Sequence, residues 1–135
     1  MKIESAVTDN VSDILHKIIE FTDRRAEVLS DNIRRMHEDG FVPMDLPVEE
    51  FSQLMNDALC EHVLNKRLLL KDSENVVFGP DGKFTVNKIA DRFARELLEE
   101  DEDAYIDGQV EKMLENNINR KVAAQLLRQK EGVTV

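Results

Sequence analysis

The side chains best suited to chemistry are three histidines, one cysteine and a dense set of carboxylates, and their spacing assembles no reactive group. His16, His37 and His62 fall on separate segments, and neither a His-Glu-x-x-His nor a Cys-x-x-Cys pattern occurs. Clustered ligands of that kind are what a transition metal needs. Cys60 and His62 are two residues apart, so on a helix they do not share a face. Cys60 also has no basic neighbour in sequence to favour its thiolate, so it reads as packed or solvated rather than nucleophilic. The acidic run Glu99-Glu100-Asp101-Glu102-Asp103, with Asp107 and Gly108 beyond it, lacks the alternating acids, central glycine and closing glutamate of a calcium loop. Gly79-Pro80-Asp81-Gly82 is a turn and lacks the Gly-x-x-x-x-Gly-Lys order of a phosphate cradle. Carboxylates are plentiful, but nothing singles out a pair for acid–base work, and no aromatic cluster marks a pocket. The expectation is a protein that is not an enzyme and uses no cofactor and no metal.

Composition narrows the partners. The chain has 135 residues, enough for one domain with a modest core. Its 28 acidic and 18 basic side chains give a net charge of −10. Such a chain repels nucleic-acid backbones and anionic membrane surfaces. No run approaches the roughly 18–20 apolar residues of a membrane span, so direct membrane insertion is not expected. The start Met1-Lys2-Ile3-Glu4-Ser5 does not read as a secretory signal, and a lone cysteine fits a reducing compartment. With six Phe, one Tyr and no Trp, the core is expected to be aliphatic.

The elements that would position these residues are mostly helical. A helix is expected over residues 8–38, capped by Asp9 or Asn10 and stopped by Gly40. Its apolar residues form three adjacent rows, led by Leu15, Phe21 and Ile33, a stripe too wide for a two-stranded coiled coil. Phe41 to Leu46 reads as an extended connector, because Pro43 biases Val42 away from helix. A second helix is expected over 47–65, with Pro47 at its first position. Phe51, Leu54, Met55, Ala58, Leu59 and His62 give it the cleanest amphipathic period in the chain. Region 67–86 should hold a small β-hairpin near 76–86 around the Gly79–Gly82 turn. A third helix is expected over 87–100, with Ile89, Phe93, Leu97 and Leu98 on its apolar side. The acidic run follows as a solvated turn or joint, and a last helix spans 107–130. Asn116, Asn117, Asn119, Arg120 and Lys121 interrupt every face of that helix, which suits polar groups paired across a contact better than a simple core. The predicted fold is a mainly α single domain, with long terminal helices packing together and two shorter helices between them.

Two stretches at the ends carry a family likeness. Glu20-Phe21-Thr22-Asp23-Arg24-Arg25-Ala26-Glu27-Val28-Leu29-Ser30-Asp31-Asn32-Ile33 resembles the N-terminal helix of the flagellar basal-body rod proteins, the proximal rod proteins in particular. That family shows an aromatic residue, an Arg-rich turn and then Leu-x-x-Asn-Ile. Gly40-Phe41 and Pro43-Met44-Asp45-Leu46 resemble its Gly-Tyr and extended exit. Asp107 to Asn117 and Ala123-Ala124-Gln125-Leu126-Leu127 resemble its closing helix. The family's small Ala and its Thr-Pro break are here Arg34 and Glu38-Asp39.

The resemblance implies a structural component of the bacterial flagellar rod. Such a subunit is made in the cytoplasm, exported without a cleaved signal, and assembled through its terminal helices. Its partners would be other rod subunits, the export apparatus and further copies of itself. The expected interaction residues are Phe21, Leu29, Asn32 and Ile33 in the first helix, with Met113, Leu114, Asn117, Leu126 and Leu127 in the last. The apolar members would supply burial, while Asn32 and Asn117 would fix register by cross-helix hydrogen bonds. The alternative from composition alone is a small acidic cytoplasmic binding module, such as an export chaperone, that takes a partner's helix in a groove.

Overall fold

A computed structural model describes residues 3–80 and 84–132, with side chains from Asn10 onward. Eight elements follow one another: α1 (Ile3–Arg34), β1 (Met44–Asp45), α2 (Val48–Asn65), β2 (Val76–Phe78), β3 (Phe84–Val86), β4 (Ile89–Ala90), α3 (Arg92–Glu100) and α4 (Glu102–Lys130). The long terminal helices pack on each other, and α2 packs on another side of α1. Side-chain partners fix α1 and α4 as antiparallel: Asn32 meets Gln109, Thr22 meets Asn116, and Leu15 packs with Ala123 and Leu127.

The main core lies between α1, α2 and the hairpin, and it is more aromatic than expected. Phe21 stacks on Phe51 with ring centroids 4.0 Å apart, Phe51 leans on Phe84 at 5.8 Å, and Phe84 stacks on Phe78 at 5.1 Å. Four of the six phenylalanines thus converge from four elements, and Ile14, Val28, Leu54 and Ala58 fill in around them. Few aromatics in a sequence do not make a core aliphatic when they are spaced to meet. A smaller cluster of Met36, Ala94 and Tyr105 closes the other end of the bundle.

The hairpin forms near the expected residues, with Phe78 opposite Phe84 and Val76 opposite Val86. Residues 81–83 of its turn lie outside the described residues. α2 starts at Val48, one residue later than expected, with Pro47 as its N-cap rather than its first helical residue. Four other boundaries differ from the sequence reading, each for a local reason. First, α1 begins at Ile3, so Asp9 and Asn10 sit inside it. The Asn10 amide donates instead to the carbonyl of Lys66, the left-handed residue (φ 57°) that ends α2. Second, α1 ends at Arg34, and residues 35–40 continue as turns to Gly40, whose φ is 73°.

Third, Ile89 and Ala90 are not helical, because they pair antiparallel with Asp45 and Met44. Their sheet contact lies more than forty residues back, and α3 starts only after Asp91, whose carboxylate accepts from the Ala94 amide at 3.0 Å. Fourth, the acidic run is a corner rather than a joint. Asp101 alone is extended (φ −155°), and its carboxylate accepts from the Ala104 amide at 3.1 Å, so α4 begins at Glu102. Glu102 and Asp103 then occupy the first turn, where the helix dipole favours negative charge.

Candidate interaction surface

The α1–α4 seam is held by polar groups along most of its length. Asn32 is about 1% exposed and saturated. Its Nδ2 donates to the Met44 carbonyl at 2.7 Å and to Gln109 Oε1 at 2.8 Å, and its Oδ1 accepts from the Met44 amide at 3.0 Å. One side chain thus joins α1, β1 and α4. The Tyr105 hydroxyl donates to the Asn32 carbonyl at 2.7 Å. That carbonyl sits at the end of α1, where the Met36 amide has turned to Ile33, so Tyr105 acts as a C-terminal cap from another helix. Burial, with the Asp91 carboxylate nearby, pushes the Tyr105 phenol up to about 12. Farther along, Asn116 Nδ2 donates to the Thr22 carbonyl at 2.8 Å.

An ion network crosses the same seam. Buried Arg25 binds Asp45 through two parallel bonds of 2.9 and 3.1 Å. Lys112 on α4 lies 2.5 Å from Asp91 and 3.6 Å from Asp45. Asp91, while capping α3, is therefore also tied to α4. Burial alone would raise the Asp91 carboxyl, but the Lys112 ammonium and the Ala94 amide more than offset this and hold it below the usual carboxylate range. Bidentate Arg–carboxylate pairs fix geometry as well as add energy, so α1, β1, α3 and α4 are locked in one arrangement.

With Gln109 and Asn116 turned inward, α4 leaves a row of apolar residues outside. Val110, Leu114, Ile118, Val122 and Leu126 follow one another every four residues and are 41–61% exposed. Side chains at that spacing form a continuous ridge on a helix surface. The ridge runs between two clefts. At its start, Val110, Met113 and Leu114 face Ala26 and Ile33 of α1. At its end, Val122 and Leu126 form one wall of a trough whose floor is α1 (Leu15, Ile18, Phe21) and whose other wall is α2 (Phe51, Met55, Leu59).

The nine residues expected to carry the interaction divide between inside and outside. Phe21, Leu29, Asn32 and Leu127 are buried within the chain itself. Ile33 and Met113 are half-buried along the first cleft, while Leu114 and Leu126 stand on the exposed ridge. Asn117 is exposed, and its neighbour Asn116 makes the cross-helix bond expected of it. Asn32 does bond across helices, to Gln109 of its own chain. Val110, Ile118 and Val122 stand outside the expected interaction residues, though their four-residue period is the sequence signal of a ridge. Arg25, Asp45, Tyr105 and Gln109 stand outside them too, and no local pattern marks them. Among the described residues, no group of three His, Cys, Asp or Glu could hold a metal, and no helix is long and apolar enough to cross a membrane. Compared with protein-family models, curated proteins and solved structures, the chain matches none of them.

Proposed function

We propose that this protein is a structural subunit of the bacterial flagellar rod, assembling with other rod subunits and with the export apparatus through its terminal helices. The observation that carries the proposal is the exposed Val110–Leu126 ridge on a helix that buries Gln109 and Asn116 against α1. The sequence resemblance lies on the same two helices. Clefts at the two ends of the ridge differ in lining, and unlike patches on one subunit suit contacts with two different neighbours rather than a closed pair of copies. Each fully buried Leu or Ile contributes roughly 1.5–3 kcal/mol, so a five-residue ridge can outweigh repulsion between acidic chains.

The test is complementation of a strain lacking the gene. Leu114→Asp with Ile118→Asp changes only exposed side chains, so the chain should fold and accumulate while basal bodies stop at the rod and motility is lost. Complete basal bodies and normal swimming would overturn the proposal.

The second reading, a cytoplasmic helix-binding module, is favoured by one observation: the saturated polar node at Asn32 closes the terminal helices on each other within one chain. Hydrogen exchange separates the two. Strong protection of residues 14–36 and 110–127 in a species that never polymerises favours the module; weak protection that rises on assembly favours the rod.

A further inference from the structure

α2 and α4 both rest on α1 but pack little on each other. Between them runs the trough floored by Leu15, Ile18 and Phe21. It follows α1 from Val11 to Arg25, a length of about 21 Å at 1.5 Å per residue. Three helices around an apolar channel of that length leave the place of a fourth helix in a bundle. The rim residues agree: Leu59 on α2 and Val122 and Leu126 on α4 are each about half exposed, although they border the core.

Charge selects the occupant. Exposed Glu49 lies one turn from Ser52 on the α2 wall, and exposed Glu115 lies one turn from Asn119 on the α4 wall, with Glu111 a turn further back. Glu115 touches Arg25 only at 3.5 Å and stays 62% exposed. Arg25 itself is already paired with Asp45, which leaves Lys130, at one end of the trough, as the lining cation in no ion pair among the described residues. A second copy of this chain would add another net charge of −10. We infer that the trough is a docking site for an amphipathic helix of a different protein, with an aliphatic face and basic flanks.

The inference rests on the reading that this chain works by packing helices between chains. It holds for either form of that reading.

The probe is a helical peptide of about 18 residues, with Leu at i, i+3, i+4, i+7 and i+11 and Lys on both flanks. It is titrated into the full-length, isotope-labelled protein and followed by backbone NMR. Shifts should cluster on Leu15, Ser52, Met55, Asn119, Val122 and Leu126. Affinity should fall at least about tenfold with Glu in place of the peptide's Lys, and equally with Val122→Asp. Phe93→Asp, on the exposed side of α3, should bind like the parent. Absent or scattered shifts, or equal affinity for both peptides, would overturn the inference. So would a concentration-dependent dimer that protects the trough without peptide, because it would give the site to a second copy. A Val122→Asp strain with normal basal bodies, alongside clean peptide binding in the trough, would refute the rod role and leave the docking site standing.

Discussion

Replacing Asn32 with alanine should cost about 3–5 kcal/mol of folding stability. The side chain makes three hydrogen bonds of 2.7, 2.8 and 3.0 Å from a site about 1% exposed. Each such bond has a net worth of about 1 kcal/mol. Alanine also strands the Gln109 carbonyl oxygen and both polar groups of the Met44 backbone, and each buried unpaired group costs about 1–3 kcal/mol unless water reaches it. The estimate is a large share of the roughly 5–15 kcal/mol by which domains are stable. Urea unfolding followed by circular dichroism reads the loss directly, and an unchanged m-value shows that the unfolded state is not responsible. A cycle with Gln109→Ala should give a coupling of about 1 kcal/mol or more, since the two side chains bond to each other. A loss below about 1 kcal/mol, or strict additivity with Gln109→Ala, would refute the reasoning that this node holds the terminal helices in register.

Asp45→Ala should cost about 3–5 kcal/mol in the same assay, because it leaves the buried Arg25 guanidinium without its bidentate partner. Acid should destabilise the protein through Asp91 and Glu50. Both carboxyls lie below their usual range, Glu50 through the Ser73 hydroxyl and the Asn75 amide. A depressed folded-state value means that the unfolded chain binds protons first. Their contribution is therefore full above the usual carboxylate range and lost as pH falls below it; Glu50→Gln should shrink that slope, as read by urea midpoints across pH. In alkali the sign reverses. The phenol of Tyr105, the one tyrosine in the chain, is raised to about 12, so its stabilising effect is present below pH 10 and disappears as pH rises toward 12. Phenolate absorbance at 295 nm should show that late titration in the native protein, and a midpoint near 10 would contradict the buried placement.

Much of the architecture was legible because periodicity is local. The repeat in α2 and the alternation of Phe84, Thr85 and Val86 in β3 needed only neighbouring residues to interpret. What was missed depended on distant partners. Ile89 and Phe93 have helical spacing, yet Ile89 pairs with Asp45 and Phe93 is exposed. In the sequence Asp101 is one charge among five, while its decisive property is a carboxylate within reach of the Ala104 amide. Asn116 and Asn117 are adjacent and alike in type, and only the rotation of α4 against α1 decides which is buried. That rotation is hard to read from sequence, because the apolar residues of α4 at 110, 113, 114, 118, 122, 123, 126 and 127 spread around most of the helix.

The orientation that α4 adopts bears on function. An ordinary surface helix buries aliphatic residues and exposes polar ones. Through its middle α4 does the opposite, burying Gln109 and Asn116 and exposing Leu114, Ile118 and Val122. Satisfied polar groups in a seam specify one alignment and gain little net energy over water, whereas aliphatic side chains left in water forgo their burial energy. For a chain acting alone, turning α4 about its axis would cover the ridge, while exposing Tyr105, Ala123 and Leu127 along with the two amides. The observed rotation sacrifices burial within the monomer for alignment of the seam, and the forgone burial becomes recoverable when another chain covers the ridge. On this reasoning the ridge substitutions Leu114→Asp and Ile118→Asp should leave the stability of the isolated protein within about 0.5 kcal/mol, while Asn116→Ala lowers it by about 1–3 kcal/mol. Ridge variants that unfold as readily as Asn116→Ala would mean that the outer face of α4 serves this chain's own fold, and the case for its role in assembly would fall with them.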